Sequence, residues 1–215
     1  MPLQRIFRWA LPVCFAAGLL PAQVGIPHIG PVRYADGSVW AVNGLKSNFV
    51  LGTRLMKGVT AASFSDAGGL VAIAGEVDLI RLDGSVVERY KTDEAHPVLD
   101  ISSALTTATI YLPSTHTTLH WNGSSFEATD REAAEPVFHQ KRFVLFSDGQ
   151  GLEVQAADGT VRTLQIPATD LKMERMADRW VHLSSATAHR DWALLLNDSE
   201  MQLSELPAPR EEAAK

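Results

Sequence analysis

The chain has 215 residues, 46% hydrophobic and 20% charged, a globular composition that leaves room for one domain of ordinary size and excludes a wholly disordered polymer. Twenty-five acidic against 19 basic side chains give a formal charge of −6, the wrong sign for gripping a phosphate backbone, so nucleic acid is excluded as a partner. With one cysteine, Cys14, no disulfide can form within the chain, and the core and strand ladders must hold the fold.

Residues 1–22 stand apart. Arg5 and Arg8 precede an apolar run from Trp9 to Leu20, and Ala16, Ala17, Gly18 and Ala22 supply small residues toward its end, the pattern of a secretory signal peptide cleaved near Ala22. The run is about 12 residues and carries Pro12, against the roughly 20 that a membrane span needs, so no stable span is expected after cleavage. Leu11-Pro12-Val13-Cys14 has Val where a lipobox wants Gly or Ala. The mature chain would begin at Gln23, carry a formal charge of −8 and be exported, to the periplasm or the extracellular space.

Downstream the chain repeats. Asp36-Gly37, Leu82-Asp83-Gly84-Ser85, Trp121-Asn122-Gly123-Ser124, Ala157-Asp158-Gly159-Thr160 and Asn197-Asp198-Ser199 read as tight hairpin turns of type I′, which needs positive φ at both central residues. Counted from the Asp or Asn, they are spaced 47, 39, 36 and 40 residues apart, close to the length of one four-stranded propeller blade. Before the last four turns lie short apolar runs, Leu70 to Ile73, Thr109 to Leu112, Phe143 to Phe146 and Trp180 to Leu183, as strands buried on both faces require. Four complete units follow, at about 59–91, 96–129, 135–167 and 171–206. Upstream, the hairpin of Pro31 to Val42 and a strand from Asn48 to Leu55 make either a fifth, irregular blade or strands that close the ring against the last repeat.

The predicted class is all-β, a β-propeller of four to five four-stranded blades over residues 23–206, with an open two-sheet β-sandwich as the alternative and a solvated, disordered tail at 207–215. Over about residues 30–206 these turns and runs resemble a small bacterial β-propeller, although no WD40, kelch or Tyr-Val-Thr-Asn signature is present. What the resemblance implies is a ring of blades with a binding face, and no particular substrate.

Three of the expected connectors between blades repeat a dipeptide: Thr92-Asp93, Thr129-Asp130 and Thr169-Asp170. Asp93, Asp130 and Asp170 around a channel would suit a hard cation such as calcium, and each would equally serve to cap its own loop. Trp121 and Trp192 border hairpins, where an exposed indole can stack on a sugar or anchor a peptide and a buried one makes a cross-strand pair. His116 and His120 do not read as a zinc site, because in a strand residues four apart lie about 13 Å from one another. The expected function is an exported, non-catalytic module that binds protein, peptide or glycan through the channel face. The alternatives are a lactonase-like propeller hydrolase with a cation on the three Asp residues, and a degenerate propeller kept as a scaffold.

Overall fold

The computed structural model describes residues 27–45, 48–129, 138–140, 143–147, 151–168, 170–197 and 200–209. Its strands form five antiparallel sheets standing in a ring, a five-bladed β-propeller. Blade 1 has three strands, β1 (His28–Arg33), β2 (Val39–Leu45) and β3 (Asn48–Met56). Blade 2 is β4 (Val59–Ser65), β5 (Gly68–Ile73), β6 (Glu76–Arg81) and β7 (Val86–Lys91); blade 3 is β8 (Val98–Ile101), β9 (Ala108–Leu112), β10 (Thr117–Trp121) and β11 (Phe126–Thr129). Blade 4 is β12 (Phe138–Gln140), β13 (Phe143–Ser147), β14 (Leu152–Ala156) and β15 (Val161–Leu164); blade 5 is β16 (Lys172–Ala177), β17 (Trp180–Ser185), β18 (Arg190–Leu196) and β19 (Met201–Glu205). The four units expected from the repeat are blades 2 to 5, and the irregular fifth is blade 1. The expected signal peptide lies outside the described residues.

Among the described residues, the position left without a strand in blade 1 is the innermost rather than the outermost. Arg33, at the end of β1, pairs with Glu174 near the start of β16, while Gly30 lies against Met176 near the end of β16. β1 therefore runs opposite to the inner strand of the neighbouring blade, the direction of a second strand. The inner strands β4 and β16 run parallel, since Asp66 and Asp178, just past their ends, exchange bonds from backbone N–H to carboxylate at 3.4 and 3.3 Å. With no inner strand between them, β4 and β16 touch directly, and β1 sits behind both. The first hairpin thus joins second and third strands, whereas the later ones join third and fourth. That is why the first interval, 47 residues, is longer than the rest.

The hairpins correct the turn type. Gly37, Gly84 and Gly159 have φ of 75°, 80° and 85°, but Asp36, Asp83 and Asp158 are not among the residues with positive φ. Each Gly N–H donates to the carbonyl three residues back, and the next ladder bond skips over the Gly, a type I turn closed by a left-handed glycine in a bulge. The Asp prefers the right-handed region because its carboxylate then accepts from the residue two ahead: Ser38 N and Oγ at 2.8 and 2.6 Å, Ser85 N and Oγ at 2.9 and 2.6 Å, Thr160 N at 2.9 Å. A two-residue turn with positive φ at both positions does occur, at Ala74 (43°) and Gly75 (89°) between β5 and β6.

Burial follows the blades. Leu70, Val77 and Leu79 of blade 2 pack on Ile101, Ile110 and Leu119 of blade 3. Leu145, Leu152 and Val154 of blade 4 pack on Val181, Leu183 and Leu194 of blade 5. Val32, Trp40 and Val42 of blade 1 meet Met176 and Ala193 of blade 5 on one side, and Val39 meets Val59, Phe64 and Val71 of blade 2 on the other. A buried Val or Leu contributes roughly 1.5–3 kcal/mol, so these seams are the main stabilising element of a ring without disulfides.

Candidate functional site

The connectors between blades and the turns between second and third strands share one face. There the carboxylates act as loop caps. Asp170, ahead of β16, accepts from Ser185 Oγ at 2.5 Å, Thr187 Oγ1 at 2.6 Å and Thr187 N at 3.0 Å, and these bonds hold its pKa well below the ordinary carboxylate value. In blade 3 the same task falls to Glu94, which accepts from Ser114 N at 2.8 Å. The turns so capped, 113–116 and 186–189, each end on a histidine with φ of 51°, His116 and His189. Asp93 is exposed one residue before Glu94, and Asp130 lies outside the described residues. Among the described residues no group of three or more His, Cys, Asp or Glu side chains is placed to share a metal ion.

The tryptophans face inward. Trp121 is 9% exposed and packs at a tilt against Phe126, ring centroids 5.4 Å apart, and Trp192, 4% exposed, belongs to the core between blades 4 and 5. Neither indole presents a stacking surface to solvent.

The densest polar constellation lies between blades 5 and 1. Arg33 donates from Nε to Glu174 Oε1 and Oε2 at 2.9 and 3.1 Å and from Nη2 to Oε1 at 2.7 Å, a forked pair with both side chains largely buried. His182, 1% exposed, has Nε2 at 2.8 Å from Asp191 Oδ1, while its Nδ1 is 3.8 Å from Glu174 Oε2, an ion-pair distance without a hydrogen bond. Burial works against a charged imidazole, but Asp191 and Glu174 outweigh it, and the pKa of His182 is raised. Burial likewise opposes ionised Glu174, yet His182 and Arg33 hold its pKa below the usual value. Tyr34, tilted over His182 at 6.3 Å, donates to the Pro207 carbonyl at 2.8 Å, and Leu206 N donates to the Asp191 carbonyl at 2.8 Å. The start of the expected tail is thereby tied to blade 1. Across the axis, Arg175 on β16 donates to Asp100 on β8 at 2.8 Å.

The open spaces lie elsewhere. A cleft of about 500 Å³ runs between blades 4 and 5, with Phe143, Val154, Leu196 and Met201 among its walls and Asp158 and Arg162 beside them. A second, of about 230 Å³, opens between blades 1 and 2 against Leu55, Met56, Phe64, Ile80 and Leu82.

The buried His182 is hidden in the sequence by its setting, since Trp180-Val181-His182-Leu183 reads as part of an apolar strand. A basic side chain on a strand buried on both faces is the available signal, because such a group must find charged partners.

No family model matches the chain, and no curated protein matches it. Among solved structures, dihydro-heme d1 dehydrogenase NirN in complex with DHE is similar at 17% identity and a TM-score of 0.36, over 85% of this chain and 44% of that one. A protein of unknown function from Bacteroides caccae is similar at 11% identity and a TM-score of 0.35, over 83% of this chain and 72% of that one. The Myceliophteria thermophila Cps50 (Swd1) β-propeller domain is similar at 9% identity and a TM-score of 0.36, over 78% and 65%. This chain therefore spans less than half the length of the NirN chain. The five-bladed architecture rests on this chain's own sheets, and no activity follows from these likenesses.

Proposed function

We propose that the protein is an exported, non-catalytic binding module that recognises a peptide or protein segment at an open seam between blades. The observation that carries this reading is the division of its polar and apolar groups. The charged constellation a catalyst would need to expose, Arg33, Glu174, His182 and Asp191, is enclosed between two blades, and Asp170 is committed to a loop. The two clefts described among these residues are instead walled in large part by apolar side chains, which favour ligand burial over charge stabilisation.

Selection of a random peptide display library on the exported chain tests it. Binders with micromolar Kd by calorimetry, recovered intact by mass spectrometry and indifferent to EDTA, are the expected result. Cleaved peptides, or a rise in the unfolding midpoint on adding calcium, would instead favour the hydrolase with a cation on Asp93, Asp130 and Asp170.

A further inference from the structure

Five of the large apolar side chains exposed on the described surface flank one seam: Leu45, Val50, Leu55, Leu82 and Val86. The pleat explains the grouping. In blade 1, Trp40, Val42, Phe49 and Leu51 turn toward blade 5, so alternation turns Leu45 and Val50 toward blade 2, and the register shifts in β3 beyond Leu51 bring Leu55 round to the cleft on that side. In blade 2, Val77, Leu79, Val87 and Tyr90 turn toward blade 3, while Ile80 and Leu82 turn toward blade 1, and Val86, directly paired with Ile80, faces the same way. Leu55 and Leu82 are 47% and 63% exposed on opposite walls. Apolar side chains facing one another across an open space are a binding surface rather than a scatter of single residues.

We propose that this cleft receives an extended segment of a partner protein, which adds to the outer edge of β3 as a further strand and sets alternate apolar side chains between the two walls. The inference rests on the binding-module reading and supplies its site and the chemistry of its ligand. β3 has nine residues, against six, four, four and five in the outer strands of the other blades. No strand among the described residues pairs with its outer edge, it carries no proline, and its ladder with β2 is regular over Asn48–Leu51 before the register shifts toward Met56, so Asn48–Leu51 is the stretch open to pairing. A strand laid on that edge gains backbone bonds and turns every second side chain toward blade 2, where Leu55 and Leu82 stand on opposite walls of the cleft. Charge selects the flanks. Arg81 lines the cleft and Lys57 follows Met56, both exposed, against one carboxylate on the same rim, Asp83, which the bonds from Ser85 N and Oγ keep ionised, so two cations face one anion. In a chain of formal charge −6 this rim is locally cationic, and a ligand with acidic residues beside its apolar ones fits it.

The test uses peptides selected on the full exported chain, measured by fluorescence anisotropy and amide hydrogen exchange. Expected are protection of residues 48–51 on binding, a loss of affinity of tenfold or more in Leu55→Asp and in Leu82→Asp, and asymmetry between two N-methylated forms of one peptide. Methylation of the amides on the pairing edge should abolish binding, and methylation on the opposite edge should leave it. Equal binding by the two methylated forms, unchanged affinity in Leu55→Asp, or protection confined to the seam of blades 4 and 5 would overturn the site while leaving the binding-module reading intact. Failure to select any peptide would remove both. Concentration-dependent dimerisation abolished by Leu55→Asp would replace the partner segment with a second copy of this chain, and would also overturn the proposal.

Discussion

The two flanks of blade 1 are built in opposite ways. Toward blade 5 the seam is closed along its length: Val32, Trp40 and Val42 pack on Met176 and Ala193, Arg33 forks onto Glu174, and Tyr34 reaches Pro207. Toward blade 2 it is packed near the axis by Val39, Val59, Phe64 and Val71, then opens outward into the cleft. Chain connectivity accounts for the difference. Blades 1 and 2 are joined by Lys57-Gly58 alone, so that their faces meet at high effective concentration whatever lies between them. Blades 5 and 1 lie at opposite ends of the described residues, which close the ring there by non-covalent contacts. A seam without a tether needs directional, buried interactions, and the tethered one is free to leave apolar surface for a ligand.

The largest effect should come from Glu174→Ala. It strands Arg33 as a buried cation and leaves His182 with Asp191 alone, and breaking such a pair costs about 3 kcal/mol or more. Urea unfolding should show that loss, and hydrogen exchange should place the earliest opening in β1 and β16. Gly30→Ala comes next. The residue has φ of 151°, and a Cβ there would collide with the Met176 carbonyl oxygen, so about 2 kcal/mol should be lost unless β1 withdraws from β16. If either variant unfolds at the wild-type urea midpoint, the closed seam is not what holds the ring.

The same seam should respond to pH, and its sign is fixed by its two titrating groups. The raised pKa of His182 means its contribution is complete below the unfolded value, 6.5, and is lost as pH rises through the folded value. The lowered pKa of Glu174 means its contribution is complete above the unfolded value, 4.5, and is lost as pH falls through the folded value. Stability from this cluster is therefore greatest between about pH 4.5 and 6.5 and declines on the alkaline side, where Arg33 still holds Glu174 but His182 no longer adds its charge. The thermal midpoint should fall between pH 6 and pH 9, and His182→Gln should flatten that slope. A slope unchanged in His182→Gln would assign the pH response to other groups.

How much of this can be read from the chain depends on how local the signal is. The four complete blades are legible because Asp83-Gly84, Asn122-Gly123 and Asp158-Gly159 mark hairpins and runs such as Leu70 to Ile73 mark strands buried on both sides. The turn type is not, because Asp-Gly serves two geometries, and the choice is made by Ser38, Ser85 and Thr160, whose donors hold the Asp right-handed. Blade 1 is visible as three strands, but which strand is missing follows from β1 meeting β16, a contact between residues about 140 positions apart that no local pattern carries. The site is less legible still. Asp170 fits its loop-capping role, yet Glu94 rather than Asp93 caps the corresponding turn of blade 3, and Trp121 and Trp192 turn inward. The two walls of the open cleft come from β3 and from the β6–β7 hairpin, each unremarkable alone.

The smallest effects should fall on that open flank. Gly84, with φ of 80° and nothing around a would-be Cβ, tolerates added volume but not a β-branched backbone preference, so Gly84→Val should cost about 1 kcal/mol through the turn alone. Leu55→Asp, at a side chain already 47% exposed, should change stability by no more than about 0.5 kcal/mol in urea. That near-neutrality is what separates the flanks. An apolar side chain that folding does not bury is free to serve the cleft, so Leu55→Asp should leave the unfolding curve in place and change only what the cleft holds. Should it cost several kcal/mol, the outer cleft is part of the core after all, and the contrast between a sealed seam and an open one disappears.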